Sequence, residues 1–156
     1  MSELTHVNAA GEAHMVDVGH KDPGRRVATA AGRLDTTAEV VEKLRGNGLA
    51  KGDALATARV AGIMAAKRTW ELVPLCHPIA LSKITVEFEL GEESVAVRAQ
   101  VANNDRTGVE MEALTAVTVA ALTLVDMVKA VDPAAEINGV GVVEKVGGKT
   151  GLWQRN

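Results

Sequence analysis

Residues 83–102 read KITVEFELGEESVAVRAQVA. Ile84, Val86, Phe88 and Leu90 alternate with polar neighbours, and Val95, Val97, Ala99 and Val101 repeat the pattern after Gly91-Glu92-Glu93. Side chains on a strand point alternately to opposite faces, so this is a β-hairpin, Lys83–Leu90 and Ser94–Ala102, with one apolar face to cover. Downstream, Val109–Val131 is apolar enough for a long helix, and Ile137–Val146 (INGVGVVEKV) reads as a last strand. Upstream, Val27–Leu34 (VATAAGRL) reads as a first strand. Asp35 and Thr36-Thr37 offer caps for a helix over Ala38–Arg45, which Gly46-Asn47-Gly48 stops. Asp53 caps a second helix, Ala54–Trp70, whose alanine-rich faces suit close packing. Strand, helix pair, strand, strand, helix, strand is the split βαβ order. It predicts an α+β, ferredoxin-like antiparallel sheet with helices on one face. The other face, rich in Thr, Glu, Arg and Gln, is left to water or another subunit.

Residues 1–25 are polar and irregular and end in Asp22-Pro23-Gly24. They read as a flexible N-terminal arm, which leaves 26–156 as a single α+β domain. With 156 residues, 47% of them apolar, the chain can bury a sizeable core; with 2% aromatics that core is aliphatic. A net charge of −3 gives no general attraction to nucleic acid or membrane. An RNA-binding sheet needs stacking aromatics, and Phe88 is the only one on these strands. Thr115, Thr118, Thr123, Asp126 and Lys129 interrupt the longest apolar run, which argues against a membrane span. The N-terminus has no hydrophobic signal core, and a single cysteine fits a reducing compartment. The expectation is a cytoplasmic protein.

That cysteine lies in LVPLCHP, residues 72–78. Zinc needs three or four ligands, and the other histidines, His6, His14 and His20, all fall in the arm. No CxxC is present, and adjacent residues on an extended segment point apart, which disfavours a Cys–His catalytic pair. Two readings remain: a packed Cys76 with a His77 hydrogen-bonded to backbone, or a loop stiffened by Pro74 and Pro78 that presents His77 to a ligand. GGKTG, residues 147–151, is no P-loop, because Val143 stands where the first glycine belongs and only six residues follow Thr150. Gly139-Val140-Gly141 lacks the third glycine of a dinucleotide fingerprint. Lys149 either wraps an anion on this loop or sits on a solvated tail. On the long helix, Glu112, Thr115, Leu122, Asp126 and Lys129 fall on one stripe. Asp126 and Lys129 are either a surface ion pair or a site at a covered surface; Leu124, Val125, Met127 and Val128 flank the carboxylate. Lys51 opens a helix, where the dipole disfavours a cation. With Lys21, Arg25, Arg26, Lys67, Arg68, Lys145 and Lys149 it suggests an anionic substrate.

Four segments together resemble the MoaC family of molybdenum cofactor biosynthesis, the cyclic pyranopterin monophosphate synthases. They are LTHVNAAGEAHMVDV (4–18), KGDALATARVAGIMAAKRTWELVPLCHP (51–78), TGVEMEALTAVTVAALTLVDMVKAV (107–131) and EKVGGKTG (144–151). The resemblance covers nearly the whole chain. It implies a hexamer built as three dimers, with active sites at the dimer interface. It also implies a lyase that converts 3′,8-cyclo-7,8-dihydroguanosine 5′-triphosphate to cyclic pyranopterin monophosphate and diphosphate. By motif, Asp126, Lys129 and Lys51 take the catalytic roles. Leu75, Cys76, His77, Met111 and Glu112 bind substrate, joined more loosely by Glu110, Lys67, Arg26, Lys21, Lys145 and Lys149. Many relatives have Cys where Val128 stands and Ser where Thr150 stands. No cofactor or resident metal is required, although Mg²⁺ can accompany the triphosphate. A non-catalytic, nucleotide- or anion-sensing oligomer of the same fold is the alternative.

Overall fold

A computed structural model describes residues 4–46, 48–49 and 53–156. The elements are β1 (Gly24–Asp35), α1 (Ala38–Arg45), α2 (Ala54–Ala66), α3 (Thr69–Leu72), β2 (Lys83–Leu90), β3 (Ser94–Asp105), α4 (Glu110–Val128), β4 (Glu136–Val146) and β5 (Trp153–Gln154). The sheet order is β2-β3-β1-β4-β5 and every neighbouring pair is antiparallel. The first four strands therefore form the split βαβ arrangement read from the sequence, a ferredoxin-like α+β fold. β2 and β3 form the expected hairpin, with Val86 opposite Ala99 and Phe88 opposite Val97.

One layer of side chains from β1, β2 and β3 meets the helices. Val86, Val95, Val97, Ala99 and Val101 are buried with Ala28, Ala30 and Leu34 of β1 against Ala113, Val117, Ala120, Leu124 and Val128 of α4. The α2–α4 contact rests on small residues. Ala54, Ala58, Gly62 and Ala66 recur every four positions and so share one face of α2. A Cβ on Gly62 would lie 2.8 Å from the Ala116 carbonyl oxygen and 3.1 Å from the Ala120 Cβ, so the two backbones approach too closely for even alanine. By length and composition α4 could cross a membrane, but half of its most apolar window is buried inside this chain as the core helix.

The structure departs from the expected boundaries chiefly in five places, besides a β4 that starts one residue early at Glu136. β1 begins at Gly24, so the border drawn after residue 25 falls inside a strand. The helix expected over Ala54–Trp70 ends at Ala66; after a turn at Lys67-Arg68 the short α3 follows, closed by the Thr69 hydroxyl on the Ala66 carbonyl at 3.0 Å. β3 continues to Asp105 rather than Ala102, because β1 pairs with it along its whole length. α4 spans Glu110–Val128 rather than Val109–Val131. The chain also returns after GGKTG as β5, which pairs with β4 at Glu144 and Lys145. The caps agree more closely: Asp53 accepts from the Ala56 amide at 2.9 Å, and of the three candidates before α1 it is Thr37 that accepts from Val40, at 3.3 Å.

Candidate active site

Two adjoining cavities open at the edge where α4 begins. The first encloses about 680 Å³, a size suited to a nucleotide-sized ligand. Leu75, Cys76 and His77 line it from the proline-bracketed loop, and Glu110, Met111 and Glu112 from the first turn of α4. Thr107 and Gly108 before α4 and Val142 and Lys145 of β4 complete the body's share, with Thr150 of the loop after β4 beside them. The remaining wall comes from Thr5, His6, Val16, Val18 and Lys21 of the N-terminal segment, and from Trp153 of β5. His77 is fixed by that segment: its Nε2 lies 2.8 Å from the Val16 carbonyl oxygen, which can only accept. Nε2 therefore carries a proton and donates it to that carbonyl.

Glu112 carries the site's most perturbed carboxyl group. It is 4% exposed. Burial is the largest effect and pushes its pKa from 4.5 to about 7; its own backbone amide pulls it down, and the neighbouring Glu110 adds a smaller upward push. A carboxyl group titrating near neutrality can both donate and accept a proton. Its charge also acts on Cys76, whose thiol is raised first by burial and then by Glu112. Cys76 is thus a protonated wall residue, not a prepared thiolate.

The second cavity, about 640 Å³, shares Lys21, Gly108, Glu110, Lys145 and Thr150 with the first and adds Arg26, His20 and Lys149. Its rim is the loop 147–151, where Gly147, Gly148 and Gly151 all have positive φ. A Cβ on Gly147 would stand 2.5 Å from the Arg25 carbonyl oxygen, and one on Gly148 2.5 Å from Arg26 Nη1, so glycine lets the loop lie directly on the arginine. Arg26 is anchored by Nε on the Asp105 carbonyl at 3.0 Å. Lys145 Nζ lies 3.3 Å from Glu110 Oε1, both half-buried, at the boundary between the cavities. One chamber thus has a largely apolar surface, and the next gathers Lys21, Arg26, Lys145 and Lys149 together with Asp22 and Glu110.

The other candidates lie elsewhere in the chain. Asp126 and Lys129 form an ion pair at 2.6 Å, each about half exposed. Asp126 is fifteen residues beyond Met111 on α4, about 22 Å along the axis at the rise of an α-helix. Lys67 caps the C-terminus of α2 and lines neither cavity. Lys51 lies outside the described residues. The expected polar stripe of α4 also needs correction: the outward line runs Met111, Thr115, Thr118, Leu122, Asp126 and Lys129, while Glu112 turns inward. Leu75, Cys76, His77, Met111, Glu112, Glu110, Lys21 and Lys145 do converge, and Arg26 and Lys149 join them through the second cavity. The reading from sequence did not include Thr5, His6, Val16, Val18, Thr107, Gly108 and Trp153. Trp153 had a visible signal, as one of two tryptophans in the chain; the Arg155 guanidinium stands 5.9 Å from its ring centre and donates to the Val142 carbonyl at 2.7 Å.

The model of the MoaC family matches residues 15–148. The chain belongs to the MoaC family. A cyclic pyranopterin monophosphate synthase of Corynebacterium efficiens is 60% identical over 153 residues, which is 98% of this chain and 99% of that protein. One from Streptomyces avermitilis is 58% identical over 153 residues, 98% of this chain and 90% of its own. A protein named cyclic pyranopterin monophosphate synthase 2 from Mycobacterium tuberculosis is also 58% identical, with 98% and 92% covered. The matched MoaC residues include every body segment that lines the first cavity, from Leu75 to Lys145.

Proposed function

We propose that this MoaC chain is a cyclic pyranopterin monophosphate synthase, a phosphorus–oxygen lyase of molybdenum cofactor biosynthesis. Its substrate is 3′,8-cyclo-7,8-dihydroguanosine 5′-triphosphate, and its products are cyclic pyranopterin monophosphate and diphosphate. The observation that supports the reading is that the two cavities share Lys21, Gly108, Glu110, Lys145 and Thr150, and that the second gathers Arg26 and Lys149 beside them. The modified purine fits the first and the triphosphate the second. A nucleotide made from GTP is met in the cytoplasm.

The chemistry divides along the same line. Rearranging a purine into a pterin requires protons to leave and return at ring nitrogens. In this reading Glu112, titrating near pH 7 in the wall of the first cavity, exchanges them. Closing the cyclic phosphate forms a bond from a sugar oxygen to the α phosphorus and breaks the bond from that phosphorus to the departing diphosphate. In this reading Arg26, Lys145 and Lys149, which line the second cavity, stabilise the negative charge that accumulates on the leaving group. The hydroxyl proton must pass to a base, and the motif gives that role to Asp126 with Lys129 and Lys51. Because Asp126 lies at the far end of α4, it reaches the cavity from a second protomer. Val60, Met64, Trp70 and Leu72, and Leu122 one turn before Asp126, are all exposed on the helical layer and suit such an interface. A hexamer of three dimers completes the proposal.

Incubation of the purified protein with the cyclised triphosphate, with mass spectrometry of the products, tests it. Stoichiometric diphosphate and cyclic pterin are expected. Tight binding without product would instead favour a nucleotide sensor.

A further inference from the structure

The N-terminal segment 4–23 is bonded mostly to itself. Val7 bridges Ala13, the His14 amide donates to the His6 carbonyl at 3.0 Å, and the Lys21 amide to the Val18 carbonyl at 3.0 Å. Among the described residues only two hydrogen bonds tie it to the rest of the chain. One is His77 Nε2 on the Val16 carbonyl; the other is Arg106 Nε on the Lys21 carbonyl at 2.8 Å. Arg106 lines neither cavity. It sits in the β3–α4 loop, which is itself fastened on two sides. Asn103 Nδ2 donates to the Thr107 carbonyl at 3.2 Å, and Arg26 Nε to the Asp105 carbonyl at 3.0 Å. The same loop leads directly into Glu110, Met111 and Glu112.

We infer that Arg106 is a positioning residue for the site proposed above: through the Lys21 carbonyl it straps the N-terminal segment across the cavity and sets Lys21 where the two chambers join. A rigid loop holding both the start of α4 and the strap fixes the distance between the two walls. A guanidinium donating to a carbonyl is a charge-assisted bond, stronger than a neutral one. It acts at the last residues of the segment before β1, so it orients the chain that precedes it. This inference deepens the proposed function and rests on it only for the kinetic part of its test.

The test uses the full-length protein with Arg106→Met, which keeps the length of the stem and removes the donors, and Arg106→Lys, which restores one. Hydrogen exchange is followed for peptides within 4–21 and, as a control, within β3 and α4. Arg106→Met is expected to speed exchange in 4–21 about tenfold, and to raise both the KM for the cyclised triphosphate and the Kd for GTP about tenfold, the size of one lost charged hydrogen bond. The kcat changes less, the controls do not change, and Lys recovers part of each loss. Unchanged exchange in 4–21, or faster exchange with unchanged KM and GTP affinity, overturns the inference. Should exchange in β3 and α4 also rise, deletion of residues 1–18 replaces the substitution. That deletion must weaken GTP about as much while leaving the controls protected, and unaltered affinity overturns the inference again. If the wild-type protein binds GTP but releases no diphosphate, the function falls while exchange and GTP affinity still judge the strap.

Discussion

Replacing Glu112 by Gln removes the buried ionisable group and keeps nearly the same shape. The carboxyl pKa rises from 4.5 to about 7, chiefly through burial. That rise corresponds to roughly 3 kcal/mol at 1.36 kcal/mol per unit. The folded protein holds the proton to higher pH than the unfolded chain does, so this group favours folding at low pH. Its contribution is fully present below 4.5 and is lost as pH rises through 7. The wild type should therefore lose stability relative to Glu112→Gln across that window. Urea unfolding of both proteins at pH 4.5 and pH 8 measures it. The difference between them should move by roughly 3 kcal/mol in favour of Gln at the higher pH. A difference that does not change with pH would show that Glu112 is solvated, and its role in proton exchange would lose its basis. The same substitution should depress kcat at pH 7 even where it stabilises the fold, because an amide cannot carry the proton.

Gly148→Ala places a Cβ on Arg26 Nη1 in a left-handed conformation. It should weaken the triphosphate about tenfold, by about the energy of a strained residue, while leaving guanosine affinity unchanged. Isothermal titration with both ligands checks this. Gly62→Ala meets the Ala116 carbonyl, a backbone atom that cannot swing away, and should cost about 1–3 kcal/mol in urea unfolding. Cys76, raised by burial and by Glu112, should react with iodoacetamide at pH 8 more slowly than a free peptide thiol, and faster once Glu112 is Gln. Mass spectrometry of timed samples reads both.

The hairpin at 83–102 and the small-residue face of α2 were legible because strand alternation and close packing leave side-chain patterns. The Leu75–His77 loop was legible as a stiff segment, though its ligand role came from the resemblance. Glu112 was assigned to the wrong side of α4 because Met111 and Glu112 both fit the Thr115–Lys129 stripe at helical spacing, and only packing decides between them. The strap was not legible, since its links are backbone carbonyls of Val16 and Lys21, which any residue could supply. β5 is two residues long, too short to show a period. Asp126 and Lys129 could be marked by motif, but a single chain leaves them as an ion pair at the far end of a helix.

The most direct measurement asks whether two protomers share one site. Asp126→Asn and His77→Ala, each inactive alone, are co-expressed with different tags and purified as mixed oligomers. If one protomer supplies the cavity and the other the acid, each mixed pair rebuilds one intact site of two. Turnover of the cyclised triphosphate should then return to about a quarter of wild type for random pairing across an isologous interface. Mixed oligomers as inactive as either parent would contradict the shared site.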